Sequence, residues 1–161
     1  MEGRKHGKGT YFRNDGSACD GEWKHDKLHG KATEYHPDGS RYLGEYSEGR
    51  KHGKGKFIWT NGASYDGDFY EDQMEGFGTF LSSTGKVYSG EWKKGLMHGR
   101  GNMLFEDGRR YIGELEEDVF CGYGIFLWPD GRRYEGFWKN GMQEGEGIYR
   151  KFSGTVVKGE W

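Results

Sequence analysis

The sequence repeats itself every 23 residues along its whole length, without an insertion or a deletion, and a chain so built must fold as a stack of like units. Copies begin at Cys19, Tyr42, Tyr65, Tyr88, Tyr111 and Tyr134. The organisation is therefore one array over residues 1–161: a partial copy at 1–18, full copies at 19–41, 42–64, 65–87, 88–110, 111–133 and 134–156, and a partial copy at 157–161. Both ends fall inside a repeat, which reads as a piece of a longer array. At 161 residues the chain has the length of one domain, with no room for a catalytic domain beside the repeats.

Counting from the first residue of each copy, position 3 is Gly21, Gly44, Gly67, Gly90, Gly113, Gly136 and Gly159. Position 5 is Trp23, Tyr46, Phe69, Trp92, Leu115, Trp138 and Trp161. Positions 1, 3 and 5 share one face of a β-strand, because side chains there alternate with period two. Positions 12, 14 and 16 do the same in a second strand, as in Gly122, Gly124 and Phe126. A helix is excluded, since each glycine inside it would cost about 1 kcal/mol and nothing recurs at 3.6-residue spacing. Gly95, Gly141 and Asp26 at position 8 mark one turn, and Asp107-Gly108, Asp130-Gly131 and Asn61-Gly62 at positions 20 and 21 mark another. The Asp-Gly and Asn-Gly pairs suit the positive φ angles of a tight hairpin. The expected fold class is all-β: a single-layer, twisted antiparallel meander of 23-residue hairpins, forming a solenoid-like rod roughly 65 Å long at ~4.8 Å per strand. Glycines inside strands weaken a sheet unless rings cover them, so the rings are expected to shelter the backbone of the adjoining hairpin.

Composition agrees with a ring-built core. The chain has 31 Gly but only 2 Pro, without the every-third-residue glycine of collagen. Its 6 Trp, 11 Tyr and 10 Phe supply the apolar area that few aliphatics provide, and a net charge of −2 argues against disorder. The same near-neutral charge argues against a nucleic-acid partner. An acidic middle with mildly basic ends reads as solvated faces. No apolar run approaches the roughly 18 residues of a membrane span, and Met1-Glu2-Gly3-Arg4-Lys5 does not open a signal peptide. Cys19 and Cys121 lack framework spacing and read as reduced thiols. An intracellular location is expected: cytoplasm, cytoskeleton or the cytoplasmic face of a membrane.

The segment Tyr88-Ser-Gly-Glu-Trp92-Lys-Lys-Gly95-Leu-Met-His98-Gly99-Arg-Gly101 resembles the MORN (membrane occupation and recognition nexus) repeat, and the likeness extends over essentially the whole chain. Glu75, Cys121 and Glu144 depart from it at the histidine position, and Ala32 at the second glycine. The resemblance implies an extended twisted hairpin sheet. It implies no chemistry, because catalysis in proteins with such arrays belongs to attached domains.

His6, His29, His52 and His98 share position 11 with Cys121, but equivalent positions lie roughly 9 to 10 Å apart, too far to converge on one zinc ion. Cys19 and Cys121 stand about 40 Å apart on the same spacing, which excludes an internal disulfide. Gly85–Gly90 and Gly108–Gly113 mimic a phosphate loop, yet Glu91 and Glu114 stand where Lys is needed. The position-4 carboxylates Glu22, Glu45, Asp68, Glu91, Glu114 and Glu160 read as a solvated ladder, not as acid-base pairs. Neither a catalytic set, a metal site nor a cofactor is therefore expected.

What remains is surface. Tyr42, Tyr46, Tyr65, Phe69, Tyr88, Trp92, Tyr134 and Trp138 are expected to serve both as core and as an open aromatic groove for a protein partner. Phe137, Phe152, Val156, Val157 and Trp161 make the last copies atypical, and a homodimer through them is expected. The leading reading is a non-enzymatic scaffold that binds protein partners and self-associates in a cytoskeletal or membrane-proximal complex. The alternative is a peripheral phospholipid or phosphoinositide module, with Arg4, Lys5, Lys8, Arg50, Lys51, Lys54, Arg109 and Arg110 meeting anionic headgroups.

Overall fold

Ring and glycine alternate along the chain, and strand accordingly follows strand with no helix among the described residues; the computed structural model describes residues 3–161. The chain divides into two units, Met1–Ser83 and Thr84–Trp161. The first holds β1 (Gly7–Phe12), β2 (Ala18–Lys24), β3 (Lys27–Tyr35), β4 (Arg41–Ser47), β5 (Arg50–Ile58), β6 (Ser64–Tyr70) and β7 (Gln73–Leu81). The second holds β8 (Val87–Lys93), β9 (Leu96–Leu104), β10 (Arg110–Glu116), β11 (Val119–Leu127), β12 (Arg133–Lys139), β13 (Met142–Arg150) and β14 (Val156–Glu160). Within each unit every strand pairs antiparallel with the next in chain order, so each is a single-layer meander, as the period requires.

The turns exchange the roles expected of them. At positions 7 and 8 both central residues have positive φ, as in His25 (49°) and Asp26 (68°) or Glu117 (48°) and Asp118 (69°), the mark of a two-residue type I′ hairpin. At positions 20 and 21 only the glycine does. Arg13 N–H donates to the Ser17 carbonyl and Gly16 N–H to the Arg13 carbonyl, a type I turn closed by a left-handed glycine. There the Asp or Asn side chain accepts an N–H two residues on, at 2.8 Å for Asp15 and 3.0 Å for Asp107. Asp-Gly thus marks the longer turn, and the tight turn tolerates non-glycine residues in the left-handed region.

Tight turns also stitch neighbouring repeats. Asp72 N–H donates to the Lys51 carbonyl at 3.0 Å while its carboxylate accepts Lys51 N–H at 2.8 Å. Asp26 with Lys5 and Asp118 with Met97 repeat the clamp, whereas Gly49 and Gly141 keep only the backbone half.

Each full hairpin carries a bulge between positions 3 and 5: Gly21 faces Ala32 and Trp23 faces Leu28, leaving two more residues on β3 than on β2. The glycine at position 12 sits in this bulge with positive φ (Gly30 89°, Gly122 55°), so it does not belong to the ring face as the alternation suggested. The position-4 carboxylate caps the bulge. Arg100 N–H donates to Glu91 and Phe77 N–H to Asp68, each at 3.0 Å. The carboxylates are therefore structural acceptors as well as solvated groups.

The core is the ring face. Tyr42, Tyr65, Tyr88, Tyr111 and Tyr134 are fully buried, and each hydroxyl donates to the position-4 carbonyl of its own hairpin at 2.8–3.0 Å. The ring lies against two facing glycines of that hairpin: a Cβ on Gly124 would stand 2.5–2.7 Å from the Tyr111 ring and hydroxyl. Cover is thus intra-hairpin for tyrosine, contrary to expectation. Position 5 supplies the link between repeats, with Trp23 Nε1 donating to Gly9 O at 2.9 Å and Trp138 Nε1 to Gly124 O at 3.3 Å. Edge contacts join the two sets, as in Tyr42 to Phe69 at 5.0 Å and Tyr111 to Trp138 at 5.4 Å.

These contacts set an order of stabilities, readable from thermal unfolding by circular dichroism. Gly124→Ala drives a methyl into the Tyr111 ring and is expected to cost about 2–3 kcal/mol. Tyr111→Phe removes one hydrogen bond, about 1 kcal/mol. Gly131→Ala, at φ 92° with open space around it, costs about 1 kcal/mol of backbone strain. A Gly124→Ala protein as stable as the other two would contradict the packing described.

Candidate partner-binding face

The two faces of each unit differ in what they leave available. All eight rings expected to line a groove lie inside the ring face at 0–8% exposure, so the packing that holds the hairpins together consumes them. The opposite face carries positions 2, 4, 13 and 15 over a floor of glycine backbone, and here the surface is open. In the first unit Lys31, Thr33, Leu43, Glu45, Lys54 and Asp66 wall a groove of about 530 Å³ over Gly44 and Gly55. In the second unit Tyr123, Phe137 and Ile148 line another of about 530 Å³ over Gly136, Gly147 and Gly159, and Arg100, Ile112 and Ile125 a third of about 330 Å³ over Gly101 and Gly113. Leu43, Ile112, Tyr123, Phe137 and Ile148 are all exposed there.

Register explains which residues meet on this face. Position 13 of one repeat faces position 4 of the next, and the pairs are Lys8 with Glu22, Lys31 with Glu45, Lys54 with Asp68 and Arg100 with Glu114. Opposite charges thus meet across the junctions, and Lys54 and Asp68 close to 2.6 Å. Burial alone would raise the Asp68 carboxyl; the Lys54 contact and the Phe77 N–H outweigh it and hold it below its ordinary value. At Tyr123 and Phe137 the same register holds an aromatic pair instead, with centroids 5.6 Å apart at 82°. Sequence reasoning singled out Phe137 but missed Tyr123. The signal was present: position 13 is basic in four copies and aromatic at Phe77 and Tyr123.

Most of the basic side chains considered for headgroups are already engaged. Arg50 pairs with Glu71 at 3.1 Å, Lys51 with Glu34 at 3.3 Å, and Arg109 with Asp107 at 2.6 Å. Arg110 donates to Asn102, and the Lys5 ammonium sits 3.1 Å from the Tyr11 ring centroid. Arg4 and Lys8 are exposed. The residues considered for self-association, Phe137, Phe152, Val156, Val157 and Trp161, are all exposed as well, with Trp161 edge-on to Tyr134 at 5.3 Å. Both cysteines are free, and no three His, Cys, Asp or Glu among the described residues converge on a metal-binding geometry.

One polar cluster breaks the ring face. Copy 1 has Cys19 in place of the tyrosine and Glu34 at position 16, where the next two copies carry Phe57 and Phe80. Glu34 is buried, accepting from Arg13 at 2.7 Å and from the Tyr46 hydroxyl at 2.9 Å, with Lys51 and His36 close by. Burial alone would raise its pKa; Arg13, Lys51, Tyr46 and His36 together outweigh it and hold the carboxyl at about 2. Burial pushes the Cys19 thiol up, with Glu34 adding to it, so this cysteine is not an activated nucleophile.

Comparison with known proteins places this geometry in a family. The MORN repeat profile matches residues 1–18, 19–41, 42–64, 65–87, 88–109, 111–132 and 134–156. The chain belongs to the MORN repeat family. No curated protein matches it. Among solved structures it is similar to the TCP domain of Drosophila melanogaster SAS-4 (dCPAP) in complex with a proline-rich motif of Ana2 (dSTIL), at 10% identity and TM-score 0.51, over 94% of this chain and 88% of that one. It is also similar to the G-box domain of the microcephaly protein CPAP, at 12% identity and TM-score 0.47, over 95% and 98%. At such identity the first likeness speaks to the fold alone.

The Glu34 cluster gives this MORN array an acid-sensitive point. Its folded pKa lies below the ordinary 4.5, so the stabilisation is present above pH ~4.5 and is lost as pH falls toward ~2. Discounted for the half-exposed Arg13, it amounts to on the order of 2 kcal/mol. Glu34→Gln is expected to lower the midpoint of urea unfolding at pH 7 and to flatten its decline between pH ~4.5 and ~2. An unchanged acid dependence would contradict the assignment.

Proposed function

We propose that the chain is a non-enzymatic scaffold that holds segments of partner proteins on the open face of its sheet, in a cytoskeletal or membrane-proximal assembly. One observation carries the reading: the aromatic face is spent on the array's own packing, while the opposite face presents glycine-floored grooves with exposed apolar side chains. Exposed apolar residues gathered in a groove mark interaction surfaces. A complex between the SAS-4 TCP domain and a proline-rich motif supports partner capture by a sheet of related fold. Phospholipid binding is the weaker reading, because a headgroup phosphate must displace a resident carboxylate at Arg50, Lys51, Lys54 and Arg109.

Selection of a random displayed-peptide library on the full chain tests the scaffold reading. Peptides are expected that bind the native protein and lose at least about tenfold in affinity to a variant carrying Ile112→Glu and Ile148→Glu. Both residues are exposed, so the variant is expected to keep its thermal midpoint within a few degrees. Peptides indifferent to these changes would overturn the choice of face. The reading extends to self-association through Phe152, Val156 and Val157, exposed around the last long turn. Sedimentation at tens of micromolar is expected to show a dimer that Phe152→Ser with Val156→Ser dissociates, and a strict monomer removes this part of the reading.

A further inference from the structure

The junction between the last two copies also departs from the charge code of the open face, as position 13 already does at Phe77 and Tyr123. Position 13 is Glu146 and the facing position 4 is Glu160, so two carboxylates stand directly opposite each other across β13 and β14 where four earlier junctions pair Lys or Arg with an acid. Like charges opposed in a sheet are destabilising, and neither has an ion-pair partner among the described residues. Beside them, at the preceding junction, lies the exposed Tyr123 and Phe137 pair, and both junctions wall the same groove. The Tyr123 hydroxyl donates to Glu135 at 2.8 Å, which fixes the ring that the groove presents. Glu135 is itself matched by Arg133, so the unmatched charge of the groove, offset only by Lys158, sits at Glu146 and Glu160.

We infer that this groove takes an extended, arginine-bearing polyproline-type segment of a partner protein, an inference that rests on the scaffold reading above. The charge argument fixes the sign: a cation laid between Glu146 and Glu160 restores the pairing that every earlier basic junction has built in. The aromatic pair fixes the side chain. Guanidinium both stacks on rings and bonds carboxylates, whereas ammonium does only the second well. The backbone argument fixes the conformation. β13 is hydrogen-bonded on both sides, so a segment crossing the face of the sheet adds no strand to it. A polyproline helix, with no internal hydrogen bonds and a solvated backbone, loses least by lying on such a face, and aromatic grooves are its usual seat.

The test is fluorescence anisotropy with three labelled nine-residue peptides on the full chain: a Pro-Pro-Arg repeat, the same repeat with Glu for Arg, and a Gly-Ser-Arg repeat of equal charge. The Pro-Pro-Arg peptide is expected to bind, the Glu version not to bind, and the Gly-Ser-Arg version to bind at least about fivefold more weakly because its flexible backbone must be ordered. Glu146→Gln with Glu160→Gln is expected to weaken binding about fivefold without loss of thermal stability, since it removes a repulsion. Phe137→Ala is expected to weaken it about tenfold. Equal binding of the two arginine peptides, or indifference to the Glu146 and Glu160 changes, would overturn the inference. Face-dependent library peptides that carry no positive charge would overturn it while leaving the scaffold reading standing, and a library yielding no face-dependent peptide would remove both.

Discussion

A tyrosine ring resting on two facing glycines is the contact on which the rest of the array depends. A single-layer sheet has no second layer to bury its apolar face, so the core must be made within the layer. Glycine at positions 3 and 14 brings the backbone low enough for the ring to descend, and no Cβ fits at either site from Gly44 to Gly147. The hydroxyl then needs a partner, because a buried phenol left unpaired is costly. The bulge provides one. In most hairpins position 4 has no residue facing it across the bulge, and its carbonyl accepts the tyrosine hydroxyl while its carboxylate caps the bulge. Ring, glycine pair, bulge and acid are therefore one device.

Copy 1 shows the same device from its exception. With Cys19 in place of tyrosine no ring descends, and Ala32 stands where glycine is otherwise required. The vacated volume near position 16 takes Glu34, and the carboxylate brings in Arg13, Tyr46 and Lys51 from the copies on either side. A lost ring contact is replaced by an ion-pair network that links three repeats. Such networks destabilise strongly when one partner is removed, which makes this end of the first unit acid-sensitive.

The period, the strand alternation and the ring-to-glycine pairing could all be read from the sequence, because each depends only on spacing. What could not be read depends on local geometry that spacing does not encode. The Asp-Gly turn and the tight turn exchange roles because positive φ at position 7, as at His25 or Glu117, is imposed by the flanking strands, while position 8 is Asp or Gly in every full copy and favours it by itself. Alternation alone puts position 12 on the ring face, but its positive φ in the bulge would turn a Cβ toward the position-4 carboxylate, and spacing does not encode that. For the site, the expected groove of Tyr42, Trp92 and Trp138 lies in the core, since a ring conspicuous in sequence is conspicuous for packing. The open face was less visible. Its features are pairs, such as Tyr123 with Phe137, that meet only once the register is known.

The intra-hairpin seating of tyrosine is tested most directly by nuclear Overhauser contacts and ring-current shifts in solution. The Hα protons of Gly113 and Gly124 are expected to show cross-peaks to the Tyr111 ring protons and resonances displaced upfield, with the same pattern for Tyr134 over Gly136 and Gly147. Unshifted glycine protons, or cross-peaks joining each tyrosine to the glycines of a neighbouring repeat and not to its own, would contradict the account.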